Sequence, residues 1–432
     1  MLWQSHEADQ RAAFGDLIMQ ILITGINFYP EPIGIGKYTG EMAAWLAERG
    51  HDVDVITAFP YYPFWKISPE YARRSFHTET IGRVKVHRVP VPLRWTGRVT
   101  TAQRVLLEVG FFINGLRYWI PLFWGGEKYD VILAVCPPTL IGIYPWFHHL
   151  IHKTPWVIHV QDLQLDAALQ LGMLSGSWGR ILYKLERWFL AKATRISTIT
   201  EAMRRRVAGK GIHEERIWLL PNWSDVSLIQ PLPKDNRFRR SLGFNEQQTV
   251  FMYAGNMGEK QGLELVIEAA ACLAGTPEIQ FVLAGAGAAR AKLENLVREK
   301  AMANVHFLAV QPVELLPELL ASADVQLVIQ KGHVGDLLMP SKLTNIFAAG
   351  RPTLATAEEG TELYDVLISN HAGIVTAPQD LASFAEAISK LHKSPELRET
   401  LGNNARGFAE RFLDREKILS TFEAMLSTLT GK

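Results

Sequence analysis

The chain has 432 residues, and its 45 Lys+Arg against 44 Asp+Glu leave a formal net charge of +1; 48% of residues are apolar and 21% are charged. Such a composition excludes a disordered chain, which lacks the apolar area to offset chain entropy, and a protein steered onto nucleic acid by its overall charge. Two cysteines, Cys136 and Cys272, are too few for a disulfide framework or a zinc cage and fit a reducing, cytoplasmic setting.

Residues 1–18 carry Glu7, Asp9, Arg11 and Asp16 and no apolar core, so they read as an extension ahead of the fold rather than a signal peptide, with Met19 as an alternative start. The run ILIT (21–24) reads as the first strand. A long loop to Gly34 and a helix over 37–49 follow, and Gly50 stops that helix. VDVIT (53–57) is the next strand. The stretch Val105 to Trp124 is helical and open to two readings: packed in the core, or lying on the inner membrane surface, since it is aromatic and has Arg94, Arg98 and Arg104 close by. Val131 to His152 is uncharged but interrupted by Pro137, Pro138 and Pro145, which predicts a strand, a turn and a helix instead of a membrane span. WVIHV (156–160) and RISTI (195–199) continue the series. Short apolar runs alternating with helical patterns predict a parallel, doubly wound α/β sheet.

Between Pro221 and Thr249 the pattern lapses into prolines and charged residues, which predicts a domain boundary. A second series then runs VFMYA (250–254), QFVLA (280–284), NVHFL (304–308), DVQLVI (324–329), PTLAT (352–356) and AGIVT (372–376), and ends in helices. The expected organisation is an extension over 1–18, one Rossmann-like domain over 19–225, a second over 226–407, and a helix over 408–432 that crosses back to the first.

Ligands of doubly wound sheets sit beyond the carboxyl ends of the strands, and there the sequence places its polar and glycine-rich turns. Gly34 and Gly36 precede a helix, where backbone N–H groups favour a phosphate. The loop before them is too long for a dinucleotide fingerprint, and Lys37 followed by Tyr38 is not a P-loop. Gln161 and Asp162 follow a strand directly and suit an acceptor-binding or orienting role. Asp52 and Asp54 formally match a metal-binding DxD but lie at the wrong edge of the sheet. His148, His149 and His152 have no acidic partner in sequence, and no metal is expected. Pro340, Ser341 and Lys342 open an Ala-rich helix, with Asp336 just before them: a hydroxyl, an ammonium and helix N–H groups suited to a diphosphate.

Taken together, GNMGEKQGLELVIEAA (255–270), VLAGAGAARAKLE (282–294) and DLLMPSKLTNIFAAGRPTLATA (336–357) resemble the family 4 glycosyltransferases, nearest the colanic-acid and exopolysaccharide type. FYPEPIGIGKYTGEMAAWLAERGHDVDVIT, HVQDLQLDAALQLG and LLPNWSD agree. The resemblance implies a GT-B fold, two Rossmann-like domains facing a central cleft. It implies a retaining, metal-independent transferase that moves a sugar from a UDP- or GDP-linked donor, with no other cofactor. The acceptor would be a glycan, carried on a polyprenyl diphosphate. Donor contacts are then expected from Gly34, Gly36, Gly255, Asn256, Gly258, Gly285, Asp336, Pro340, Ser341, Lys342 and Asn345, and acceptor contacts from Gln161 and Asp162. Asp162, Lys260 and Lys342 are the expected catalytic residues. The chain departs from the family pattern at Asn256 and Gln261, where many members have Arg and Lys, and at Asn345, where many have the second of two glutamates. A non-catalytic nucleotide-sugar-binding protein and a GT-B epimerase remain the alternatives.

Overall fold

The computed structural model describes residues 18–72, 75–93, 100–125, 128–166, 176–332 and 340–432. It divides into two compact units, residues 1–221 with 419–432, and residues 222–418.

In the first unit, β1 (Gln20–Gly25) leads into α1 (Ile35–Glu48) and β2 (Asp52–Ala58). Next come β3 (His77–Ile81), β4 (Val84–Val89), α2 (Thr101–Phe123), β5 (Val131–Cys136), α3 (Ile143–His152) and β6 (Trp156–Val160). The unit continues through α4 (Gly176–Lys192), β7 (Arg195–Thr198), α5 (Glu201–Gly209) and β8 (Ile217–Leu219). The eight strands lie in the order β3-β4-β2-β1-β5-β6-β7-β8, all parallel except the β3/β4 pair. β5 and β6 are buried at every residue, as expected of central strands covered on both faces. β3 and β4 were not apparent in the sequence: HTETI is almost wholly polar and VKVHRV mixes apolar with charged residues at a sheet edge, whereas central strands such as β5 and β6 are near-continuous apolar runs.

The second unit holds α6 (Arg237–Ser241), β9 (Thr249–Ala254), α7 (Glu264–Cys272), β10 (Ile279–Ala284), α8 (Arg290–Glu299), β11 (Val305–Leu308) and α9 (Leu316–Ala321). It goes on through β12 (Val325–Val328), α10 (Lys342–Ala348), β13 (Thr353–Thr356), α11 (Glu362–Ser369), β14 (Gly373–Thr376), α12 (Leu381–Lys393) and α13 (Pro395–Phe408). Its six strands are all parallel, in the order β11-β10-β9-β12-β13-β14. Phe251, Phe281, Leu283, Leu327 and Phe384 centre one of its cores, and Phe347, Leu343 and Leu363 another.

The chain passes between the units after Pro221 and again after Ile418. Residues 222–225 group with the second unit because Ser224 N–H donates to the Leu413 carbonyl (2.8 Å) and Arg415 pairs with Asp225 (3.1 Å). After α13 a π-helical turn (Ala409–Leu413) and the start of the last helix, α14 (Arg415–Thr430), stay with the second unit, and only residues from Leu419 onward group with the first. There Glu423 accepts from His51 (2.9 Å) and pairs with Arg49 (3.3 Å).

Candidate active site

In the second sheet the connections run outward from β9 through β10 to β11, then return to place β12 on the other side of β9. The topological switch point therefore lies between β9 and β12, where open α/β sheets bind ligands. Two glycine turns interlock at this edge. Gly255 N–H donates to the Ala284 carbonyl (2.9 Å) and Met257 N–H to the Ala286 carbonyl (2.8 Å). Gly285 has φ +144°, and a Cβ there would run into the Gly255 carbonyl oxygen, so the close approach of the two turns requires glycine. Arg290 locks the second turn by donating to the carbonyls of Gly285 and Leu308.

Lys342, the first residue of α10, reaches back over β9. Its ammonium lies 3.7 Å from the centre of the Tyr253 ring, and 3.4 Å from where a Gly255 Cβ would stand. The Tyr253 hydroxyl is fixed by donating to the Asn256 carbonyl (2.6 Å). Burial strips water from the ammonium and brings its pKa down to about 7, and no neighbouring carboxylate offsets that among the described residues. A cation held over an aromatic face, with no anion beside it, is equipped to receive one.

The remaining expected donor residues fall into three groups. Gly255, Asn256, Gly258 and Gly285 share this edge with Lys342. Lys260 is exposed at the end of the same turn, where its carbonyl accepts from Lys331 N–H (3.2 Å). Ser341 is exposed and Pro340 partly buried at the start of α10, but the Leu343 amide is already taken by the Pro340 carbonyl (2.8 Å), so the cradle offers fewer free N–H groups than the sequence suggested. Asn345 is turned inward instead, where its Oδ1 accepts from the buried Ser224 hydroxyl (2.9 Å). Asp336 lies outside the described residues. Lys331 was not among the residues expected to bind the donor. Its side chain packs on Gly262, and its position just after β12 was the available signal.

In the first unit, Gly34 has φ +66° and opens α1, whose first turn has no acidic residue and no side-chain cap. Gly36 faces inward: a Cβ there would strike Glu31 and the Phe28 carbonyl. Glu31 is buried, with its carboxylate accepting from the Tyr61 and Tyr62 amides (3.1 and 3.0 Å) and from Asn27 (2.9 Å), and burial raises its pKa. The glycine at 36 is thus accounted for by internal packing, and the one acid between Pro30 and Pro32 was its sequence signal. Gln161 is also buried. It donates to His159 Nε2 (2.9 Å), so His159 carries its proton on Nδ1 and donates to Ser197 (2.9 Å). Burial lowers the His159 pKa to about 4, keeping the ring neutral. Asp162 is partly buried at the same strand end.

Asp54 accepts from the Tyr129 hydroxyl (2.7 Å), and His149 and His152 contact the carbonyls of Thr154 (2.8 Å) and Phe123 (3.2 Å). Among the described residues no group of three or more His, Cys, Asp or Glu is placed to hold a metal ion.

Residues 34–223 match the glycosyl transferase 4-like domain, and residues 234–408 match the glycosyl transferases group 1. Over 416 residues the chain is 35% identical to the putative colanic acid biosynthesis glycosyl transferase WcaI of Escherichia coli K12, covering 94% of this chain and 98% of the relative. The chain is a family 4 (group 1) glycosyltransferase. This transferase is also 23% identical to the N-acetyl-alpha-D-glucosaminyl L-malate synthase of Bacillus anthracis, over 93% of this chain and 95% of that one. Among solved structures it is similar to sucrose-phosphate synthase from Thermosynechococcus elongatus (TM-score 0.70, 18% identity, 96% and 99% of the two chains). It is likewise similar to Anabaena HepE, solved in complex with UDP (TM-score 0.68, 15% identity, 95% and 100%). The fold of this transferase is GT-B, with a mostly parallel sheet of eight strands and a parallel sheet of six.

Proposed function

We propose that the enzyme moves a sugar from a nucleotide-diphosphate donor to a glycan acceptor of exopolysaccharide biosynthesis, carried on a polyprenyl diphosphate. The transfer retains anomeric configuration and needs no metal. The observation that carries the donor half is Lys342: an ammonium without a partner carboxylate among the described residues, at the switch point beside Gly255 and over Tyr253. Departure of the sugar leaves two negative charges on the nucleotide diphosphate, and fixed positive charge in a partly dry site stabilises them strongly. Lys260, Lys331 and Ser341 lie on the loops around it and supply further donors. The likeness to WcaI supports the exopolysaccharide assignment, and the UDP complex of the HepE neighbour supports a nucleotide donor. Asp162, presented beside the fixed Gln161, serves the acceptor.

Turnover of UDP- and GDP-sugars with membrane-extracted lipid-linked glycan, with and without EDTA, and NMR of the product anomer test this reading. We expect one donor class to be used, unchanged by EDTA, with retention. Lys342→Ala should lower transfer by roughly 10²–10³-fold, the size seen when one oxyanion donor is removed. An inverted product, EDTA sensitivity, or full turnover in Lys342→Ala would each overturn a named part of this reading.

A further inference from the structure

The apolar helix at 101–123 divides into two faces. Leu107, Phe111, Trp119 and Leu122 are buried, and Tyr144 of α3 stacks on Phe112 (4.5 Å, 4° between planes). Leu106, Ile113, Ile120 and Trp124 recur at helical spacing on the other side and are exposed, Ile113 at 57% and Trp124 at 80%. Although Ala102–Phe123 is long and apolar enough to cross a membrane, its inner face is committed to the domain, so the helix lies along a surface.

That exposed stripe extends onto two neighbouring helices. Phe123 meets Phe147 of α3 (6.5 Å between ring centres), and Trp146 of α3 meets Trp188 of α4 (4.8 Å). α3 exposes Phe147, Leu150 and Ile151, and α4 exposes Ile181, Leu185 and Trp188. Scattered exposed apolar residues are ordinary, but a connected set on three helices marks a binding surface.

The charges decide what it binds. The protein as a whole is balanced at +1. Among the described side chains of these helices and of the residue after α3, however, the exposed charged ones are Arg104, Arg117, Lys153, Lys184, Arg187 and Lys192, all cationic. The two acids there are withdrawn: Glu186 is buried on Lys210, and Glu108 is partly buried with its pKa pushed up to about 7 by desolvation. Apolar side chains flanked by cations match an anionic lipid surface. Near the start of α2, Arg104 stacks on Trp65 (5.0 Å), whose ring meets Tyr62 (6.2 Å) beside Gly34, so the face runs toward the glycine turn that opens α1.

We propose that α2, α3 and α4 form a docking face for an anionic bilayer, with the apolar stripe in the interface and the flanking arginines and lysines on the head groups. This deepens the proposed function, which supplies a reason for the contact, a lipid-borne acceptor, but not the evidence for it.

The full chain is to be sedimented with vesicles of phosphatidylcholine alone or mixed with phosphatidylglycerol. Three forms are compared: the parent, Ile113→Glu/Trp124→Glu, and Val310→Glu, an exposed apolar position of the second unit. Binding to the anionic vesicles is expected, weaker by about tenfold or more on phosphatidylcholine and in the double variant. Val310→Glu should bind like the parent, and circular dichroism should show all three folded. The proposal is overturned if the parent ignores anionic vesicles or if the double variant binds them equally. It also falls if light scattering shows an oligomer that the double variant dissolves, which would make the face a protein interface. Calorimetric binding of UDP and GDP by the same preparations separates failure of the face from failure of the transferase reading.

Discussion

Lys342 concentrates the chemistry of the second unit in one titration. Its folded pKa, about 7, lies below the ordinary lysine value because burial disfavours the ammonium. A depressed lysine pKa means that the folded protein binds this proton less tightly than the unfolded chain. The resulting destabilisation is therefore complete below about pH 7, and it fades as pH rises toward the unfolded value near 10.4. Lys342→Met should then raise thermal stability at neutral and acidic pH, by roughly 2–4 °C for each 1 kcal/mol recovered, and give no gain above about pH 10. The same residue predicts proton uptake. At about pH 8 the free site is mostly neutral, and a bound diphosphate restores the ammonium. Calorimetry in buffers of different ionisation enthalpy should show uptake approaching about one proton per UDP or GDP in the parent and none in Lys342→Met. Uptake that persists in the variant would place the proton elsewhere.

At the scale of elements, the donor edge is held by turns more than by helices. The 255–258 and 285–289 turns exchange backbone hydrogen bonds and leave no room for a side chain at Gly285. Gly285→Ala combines a positive φ with a collision against main chain, neither relieved by a rotamer change. It should cost about 1–3 kcal/mol, measured as a fall in urea midpoint, and weaken nucleotide binding by displacing Gly255 and Asn256. These glycines were legible because they directly follow apolar strands, and the strands themselves were legible as runs buried on both faces. Side-chain partnerships were not. Asn345 sits in the sequence where a donor contact was expected, yet a serine 121 positions away, Ser224, holds its carbonyl oxygen. Glu31 is marked in the sequence only by the prolines on either side of it, and its partners become visible only when the chain after β2 brings the Tyr61 and Tyr62 amides onto its carboxylate. Long-range pairing of this kind has no periodicity, so a chain read from one end to the other does not reveal it.

Over the whole molecule, the chain does not divide into two halves at a single point, because its last residues return to the first unit. Leu419, Phe422 and Leu426 are buried, Phe422 meets Trp218 edge-on (6.2 Å), Glu423 binds Arg49 and His51, and Lys432 pairs with Asp130 (2.7 Å). Each large apolar side chain contributes about 1.5–3 kcal/mol when fully buried, so the three together rival the roughly 5–15 kcal/mol by which a whole domain is stable. Truncation after Ile418 should therefore destabilise the first unit selectively. Hydrogen exchange should lose protection in β1, α1 and β8, whose residues contact the removed segment or adjoin those that do. In the second unit, Phe251, Phe281 and Phe384 keep their own core, and the exchange of β9, β10 and β12 should stay within error of the parent. Equal loss in both units would show that the two fold as one cooperative block, and the terminal segment would then be a requirement of the whole enzyme rather than of the first sheet.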